Sequence, residues 1–394
     1  MSGKSNRNYN FSIYYSLQSY LCAMFYTIGY ILFYSLLSVT LLLLFYYLYF
    51  FARLAFYTSK RRNESLQHPV SVIVCAKDEE RNLTKNLPKI LEQAYSSTTQ
   101  VLVVNDNSAD DSRFTLQDLN RTFKNLTVVD LQNEAKHIAG KKYPLSIGIK
   151  EAKNEILLLT DADCIPASEN WVFKMQSGYD DYTDIVLGYG AYEKLPGFLN
   201  IVIRFETFHT ALQYLSYALA GLPYMGVGRN LSYKKNLFLK NKGFASINHL
   251  PGGDDDLFIN KIARKNNTAI VIDPEAHTIS TPKKTWKDWK WQKTRHFSTS
   301  KYYKPKHKFL LGLYSLSHFL FYPLVITTAI VFDWRLTLII FFNKLLTQQI
   351  IFSKVMKKLN EPDLIKWIFI MDIWMMGYYI MFAPKLLKRA SKNW

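Results

Sequence analysis

The stretch Glu155–Pro166, EILLLTDADCIP, constrains this chain most. It is apolar from Ile156 to Leu159 and then presents two acids, Asp161 and Asp163, with one small residue between them. An unbroken apolar run bounded by polar residues fits a strand buried on both faces, as in a parallel sheet. The acids then sit at the C-terminal edge of that strand, where open α/β sheets bind ligands. Two carboxylates two positions apart can both reach a hard divalent cation, Mg²⁺ or Mn²⁺, which takes oxygen ligands. Such a cation can hold a diphosphate and neutralise it as it leaves. A solvated turn at a strand end gives the same D-x-D pattern, because Asp is common in turns. The flanking segments therefore decide what it means.

Val70–Ala76 (VSVIVCA) reads as a first buried strand, followed by Lys77, Asp78, Glu79 and Glu80. Arg81–Gln93 has a helical period, with Leu83, Leu87, Ile90 and Leu91 on one side and Pro88 against it. Val101–Val104 is a second strand, followed by Asn105, Asp106, Asn107 and Ser108; Thr127–Leu131 is a third. Ser146–Lys153 reads as a helix leading into the strand at Ile156. Strands alternating with helical patterns mean βαβ units and a parallel sheet. Three strand ends carry acids: Glu79, Asp106, and Asp161 with Asp163. There is no G-x-x-x-x-G-K-[ST] and no well-placed G-x-G-x-x-G. A nucleotide bound here would be held by carboxylates and a metal rather than by a glycine cradle.

Two further segments carry chemistry. Gly252–Leu257 (GGDDDL) is a second acid cluster before a helix expected over Leu257–Lys265. Asp is favoured at a helix N-terminus, and close like charges raise one of the pKa values. In Trp286–His296 (WKDWKWQKTRH), Gln292 and Arg295 are three apart and share a helix face. Trp289 and Trp291 suit either stacking on a sugar or anchoring at a membrane interface.

The formal charge of +18 and the pI of about 9.5 imply a polyanionic partner: nucleic acid, anionic lipid or a phosphorylated substrate. Basic residues cluster beside apolar segments, at Lys60, Arg61 and Arg62 and at Lys385, Lys388 and Arg389. That placement favours a lipid surface over nucleic acid. Cys22, Cys75 and Cys164 are scattered and form neither a metal spacing nor a disulfide framework, so they read as small buried hydrophobes of a reduced cytosolic domain. Asn8–Ala52 holds no Lys, Arg, Asp or Glu, and the best membrane span within it is about Tyr30–Phe51. Phe11–Tyr26 fits an interfacial helix or the first span of a hairpin. Arg53 and then Lys60–Arg62 place the following domain on the cytoplasmic side by the positive-inside rule. After it, Phe309–Phe332 is a good span, Leu336–Phe352 is weakened by Asn343, Lys344, Gln348 and Gln349, and Trp367–Ala383 holds Asp372. Two or three spans are expected there; two put the basic tail inside, three put it outside. The expected divisions are a membrane segment with its basic stretch at 1–62, a soluble domain at 63–300 and a membrane region at 301–394.

Taken together, the motifs resemble the family 2 glycosyltransferases, the large inverting group with a GT-A fold. The matching pieces are VSVIVCAKDEERNL at 70–83, VLVVNDNSADDS at 101–112, GKKYPLSIGIKEA at 140–152, LLLTDADC at 157–164, GGDDDL at 252–257 and QKTRH at 292–296. They follow the family's order across the whole soluble part. The resemblance implies an α/β fold, a Rossmann-like GT-A catalytic domain with a mostly parallel sheet, here flanked by transmembrane helices. It implies hexosyl transfer with inversion from a nucleotide-diphosphate sugar, a UDP- or GDP-sugar, with Mg²⁺ or Mn²⁺ as cofactor. Carried over residue by residue, Ala76 and Glu79 lie at the nucleotide base and Asp106 contacts its ring. Lys141, rather than Lys142, lies near the diphosphate. Asp161 faces ribose and metal, and Asp163 binds the metal. The resemblance supplies a base on the acceptor side, which inverting displacement needs. Aligning on Leu257 makes this Asp254, which is preferred; aligning on the glycines makes it Asp255. Gln292 and Arg295 match the family's Q-x-x-R-W motif, with His296 where Trp is usual, and Arg295 can pair with the leaving diphosphate. Gly226–Asn230 (GVGRN) resembles an acceptor-side segment, with Arg229 and Asn230 as candidates. His277 is a candidate metal or phosphate contact, although a lone His is more often structural.

The leading expectation is an enzyme in the plasma or inner membrane, its catalytic domain cytoplasmic, moving sugar to a lipid-linked or glycan acceptor. Membrane lipid is a partner, nucleic acid is not, and the oligomeric state is open. A processive polysaccharide synthase and a non-catalytic membrane scaffold are the rivals. The retained acids argue against the scaffold, and His296 argues against processivity.

Overall fold

The computed structural model describes residues 5–59, 67–132, 138 and 140–387. Lys60, Arg61 and Arg62, and Lys388 with Arg389, lie outside the described residues. The chain divides into two compact units, one of Met1–Leu48 with Phe309–Ile350 and one of Tyr49–Lys308 with Ile351–Trp394.

Among the described residues the larger unit has ten strands: β1 Val70–Ala76, β2 Thr99–Asp106, β3 Leu126–Leu131, β4 Ile156–Asp161, β5 Cys164–Pro166, β6 Ile185–Leu187, β7 Gly190–Tyr192, β8 Leu231–Lys234, β9 Thr268–Ile270 and β10 Thr278–Ser280. Seven form one sheet in the order β3-β2-β1-β4-β8-β6-β9. β1 to β4 are mutually parallel, β8 is antiparallel to both β4 and β6, and β9 is parallel to β6. The fold is thus mixed α/β with a mostly parallel sheet. A small sheet, β5-β10-β7, stands beside it.

Burial on both faces explains the apolar runs of β1, β2 and β4. Val72, Val74, Val101, Val103 and Leu158 join one core with Leu83, Leu87 and Ile90 of the helix Glu80–Leu91. That helix runs through Pro88, because its apolar face is buried along its length. The helix Lys142–Glu151 packs on the other face and begins four residues before the expected Ser146. A Cβ at Gly148 would come within 3.0 Å of Ile73 and Val104, so this close approach needs glycine. Register then aligns the strand ends: Cys75 lies opposite Asp161, and Ala76 opposite Asn105. All three predicted acid-bearing strand ends meet at one edge.

Four helices among the described residues are long and apolar enough to cross a membrane: Ala23–Ala55, Pro305–Val331, Trp334–Lys358 and Pro362–Pro384. The N-terminal helix is continuous over Ser5–Phe45, so Phe11–Tyr26 is neither a separate helix nor one arm of a hairpin. In the smaller unit, Lys344 is buried, donates to Gln348 Oε1 at 2.8 Å and lies over the rings of Phe321 and Tyr322. These contacts let Trp334–Lys358 continue through its polar residues.

Candidate functional site

Asp161 ends β4 and forms an ion pair with Lys141, which precedes the helix Lys142–Glu151. Burial works against both charges, but each holds the other: the Asp161 carboxyl stays below the usual range and the Lys141 ammonium above it. Asp163 follows in the turn between β4 and β5. Burial, and then the charge of Asp161, push its carboxyl up. Oxygens of Asp161 and Asp163 and the Cys164 sulfur lie within 4.8 Å of one another. The Cys164 thiol donates to Asp163 Oδ1 at 3.4 Å, and burial raises its pKa, so it stays protonated. The donor set is therefore two carboxylates, which fits a hard cation. Such a cation would also relieve the repulsion between the two acids.

Along the same edge, Asp106 is buried at the end of β2 and Ala76 at the end of β1. Ala76 can offer a ligand only backbone. Glu79 is half-buried, accepts from Asn82 Nδ2, and is pushed up first by burial and then by Asp163 and Asp161. The loops after β1 and β2 brace each other: Asp78 accepts from the Ala109 amide at 2.7 Å, and Ser108 Oγ accepts from the Asp78 amide at 3.0 Å.

The three consecutive aspartates separate into three environments. Asp255 caps the helix Asp256–Ile262, accepting from the amides of Asp256 at 2.7 Å and Gly228 at 2.9 Å. Burial, then the charges of Asp254 and Asp256, push it up to about 8. Asp256 is buried and accepts from the hydroxyls of Thr299 and Tyr303 and from the Leu257 amide. Asp254 has no hydrogen-bond partner among the described residues, and its charge reaches Lys141 and Cys75. The helix is shorter than the expected Leu257–Lys265, ending at Ile262 before an extended Ala263.

Lys142 holds this loop. It is 0% exposed, and its ammonium donates to the carbonyls of Leu250 and Gly252. Replacing it with Met orphans both carbonyls at a cost of about 1–3 kcal/mol. Lys142→Met is therefore expected to lower the unfolding midpoint in detergent while leaving affinity at the β4 edge unchanged.

The helix Trp286–Ser300 extends the predicted segment by four residues. Gln292 donates to the Tyr192 hydroxyl at 3.3 Å. Arg295 lies over Trp291, and its charge helps lower Asp161, so this residue is brought to the site. Trp289 is not available to a ligand: it is buried against Trp286, Tyr378 and Phe382. His296 is exposed on the same helix, in the charged surroundings of Lys293, Arg295 and Arg229.

Arg229 donates to Ala191 O and Ser280 Oγ, both at 3.1 Å, and stacks on Tyr192; its charge helps lower Asp161 and offsets only part of the rise of Asp163. Asn230 is structural: it is fully buried and bonded to Trp171, Tyr189 and Ala276. His277 is structural as well. It packs edge-on to Tyr189, bonds Ile272 O at 3.2 Å, and burial lowers it to about 4. The sequence offers Lys142 only as the lesser choice beside Lys141, and it gives Asp256, Thr299 and Tyr303 no separate signal. Their roles come from contacts across 43 to 110 positions of chain, which no local pattern reveals.

Residues 71–222 match the family model "Glycosyl transferase family 2". An uncharacterized glycosyltransferase of Haemophilus influenzae is 27% identical over 137 residues, which is 35% of this chain and 38% of that relative's length. Among solved structures, the mannosyltransferase PcManGT of Pyrobaculum calidifontis, in complex with GDP-Man and Mn²⁺, has a TM-score of 0.56 at 17% identity. The likeness covers 89% of this chain and 99% of that one, and it shows a shared fold. The S. aureus protein TarS, residues 1–349, has a TM-score of 0.44 at 16% identity, covering 79% of this chain and 91% of that one.

Proposed function

Because residues 71–222 match the family 2 glycosyltransferase model, we propose that the chain is a glycosyltransferase that moves a sugar, with inversion, from a UDP- or GDP-sugar to a lipid-linked or glycan acceptor at a membrane. One observation carries this reading. Of three consecutive acids, only Asp254 is left without a hydrogen-bond partner among the described residues, and its charge reaches the Lys141–Asp161 pair.

On this reading Asp106, Glu79 and the Ala76 backbone hold the nucleotide base, and Asp161 accepts from the ribose. Asp163, with Asp161, would hold Mg²⁺ or Mn²⁺, which when bound supplies positive charge to the departing diphosphate. Lys141 places a point charge beside the same phosphates, and Arg295 offers a planar fork to them. Gln292 sets the position of Tyr192 at the rim. Asp254 takes the proton from the acceptor hydroxyl, whose oxygen attacks the anomeric carbon opposite the leaving group. The nucleoside diphosphate departs and the configuration inverts. The catalytic domain is 63–300, between membrane segments 1–62 and 301–394, and it faces the cytoplasm.

Nucleotide release from a panel of donors tests this, with Mg²⁺, with Mn²⁺ and with chelator. GDP-mannose and Mn²⁺, which the P. calidifontis protein holds, are the first probes. A cation acting on the leaving group is worth several kcal/mol. Chelation and Asp163→Ala are therefore each expected to lower release at least about a hundredfold. Full release in chelator would remove the metal from the proposal, and donor binding without release by the unaltered protein, whatever the cation, would favour the scaffold.

A further inference from the structure

The last helix, Ile368–Leu387, has 20 residues and is about 30 Å long, enough to cross a bilayer. Length therefore does not say whether it does. Its neighbours do. Trp374 packs against Trp286 with ring centroids 5.8 Å apart, Tyr378 against Trp289 at 6.1 Å and Phe297 at 5.6 Å, and Phe382 against Phe297 at 5.2 Å. The middle of the last helix thus runs alongside the helix Trp286–Ser300. Tyr378 also donates to Glu206 at 3.2 Å, and Glu206 pairs with the buried Lys293 of that second helix.

A helix crossing the bilayer has its middle in hydrocarbon. Here the middle is fixed beside a helix that exposes Lys287, Asp288 and Lys290, follows the exposed Lys283 and Lys284, and carries Arg295 toward the Asp161 site. Charged groups at that depth are expensive, and the nucleotide site needs water. The exposures agree with a shallower position. Phe369, Ile370, Ile373, Gly377 and Ile380 form one exposed apolar face, while Met371, Asp372, Met375, Tyr378 and Phe382 are buried against protein. Trp286 and Trp291, both exposed, lie among the lysines, as aromatic and basic side chains do at the headgroup level.

We propose that Ile368–Leu387 does not span: it lies in the membrane interface on the catalytic domain's own side, its Phe369–Ile380 face in the acyl boundary of that leaflet. Three spans then remain, Ala23–Ala55, Pro305–Val331 and Trp334–Lys358. The two that follow the domain return the chain to the side it started from. The last helix becomes a lipid-bound seat for the helix carrying Gln292 and Arg295.

Two measurements on the full-length protein in sealed vesicles test this. A C-terminal protease-cleavable tag is compared with one in the exposed loop at Asp181–Tyr182. Cleavage of both from the same side is expected; cleavage from opposite sides overturns the proposal. Spin labels are then placed at Ile373→Cys and Ile380→Cys, with Cys22, Cys75 and Cys164 replaced by Ala. An interfacial helix gives two equal, shallow depths. A crossing or re-entrant helix separates them by about 10 Å over seven residues, which overturns the proposal even with both tags on one side.

Discussion

Asp254→Asn is expected to lower turnover by about 10²- to 10⁴-fold, the range a positioned general base contributes. Asn keeps the shape of Asp but cannot accept the proton of the acceptor hydroxyl at neutral pH. No hydrogen bond among the described residues is lost, because Asp254 makes none, so the unfolding midpoint should hold. Donor affinity should stay within about twofold, since the donor is held at the β4 edge by other groups. The neighbours provide the contrast. Asp255→Asn turns an amide N–H toward the Gly228 or Asp256 amide that its carboxylate now satisfies. Asp256→Asn does the same to the Leu257 amide or to the Thr299 and Tyr303 hydroxyls. Both should lose stability, and their activity loss should follow that loss. Steady-state nucleotide release with saturating acceptor, run beside donor titration and thermal unfolding, separates the three. An active Asp254→Asn would remove Asp254 as the base; a well-folded, inactive Asp255→Asn would transfer the role to Asp255.

The parts of this site legible in the sequence are those that local patterning dictates. Apolar runs ending in acids identified β1, β2 and β4, because a strand buried on both faces must be apolar throughout and polar where it emerges. Register then brought Glu79, Asp106 and Asp161 to one edge, as the alternation of strands and helices implied. What could not be read was set by packing between distant segments. Trp289 has the composition of a sugar platform, yet the last helix covers it, and nothing near residue 289 announces residues 378 and 382. Lys142 looked like the lesser twin of Lys141. The helix start turns one inward to the Leu250 and Gly252 carbonyls and the other to Asp161. The helix over Lys142–Glu151 begins early because Leu145 and Ile149 are buried as its apolar face, and Pro144 falls in the first turn, where its missing N–H costs no intrahelical hydrogen bond.

Glu361→Leu is expected to destabilise the larger unit by about 3 kcal/mol, the low end of the 3–5 kcal/mol seen when one partner of a buried ion pair is removed. Glu361 is 1% exposed and accepts from Arg204 Nε at 3.0 Å and also from Nη2; Arg204 itself is 3% exposed on the helix Phe198–Leu219. The hydroxyl of Tyr189, beside β7, donates to the same carboxylate at 3.2 Å. Leucine leaves a buried guanidinium and a buried phenol without their shared acceptor. Asp363 still holds Arg204 through two bonds of 2.7 Å. It is 47% exposed, however, so solvent screens its share and it replaces only part of the loss. Arg204→Leu combined with Glu361→Leu removes the orphaned charge and should cost less than the sum of the two single changes. A thermal unfolding cycle over these three variants in detergent measures the difference, and strict additivity would show that the pair does not act as a unit. The contact also has a functional reach. It fixes the turn Pro362–Trp367 that leads into the last helix, against which the helix bearing Gln292 and Arg295 is packed. Below its lowered midpoint, Glu361→Leu should therefore bind metal normally at the β4 edge. It should lose donor affinity and turnover only as far as Arg295 loses its seat.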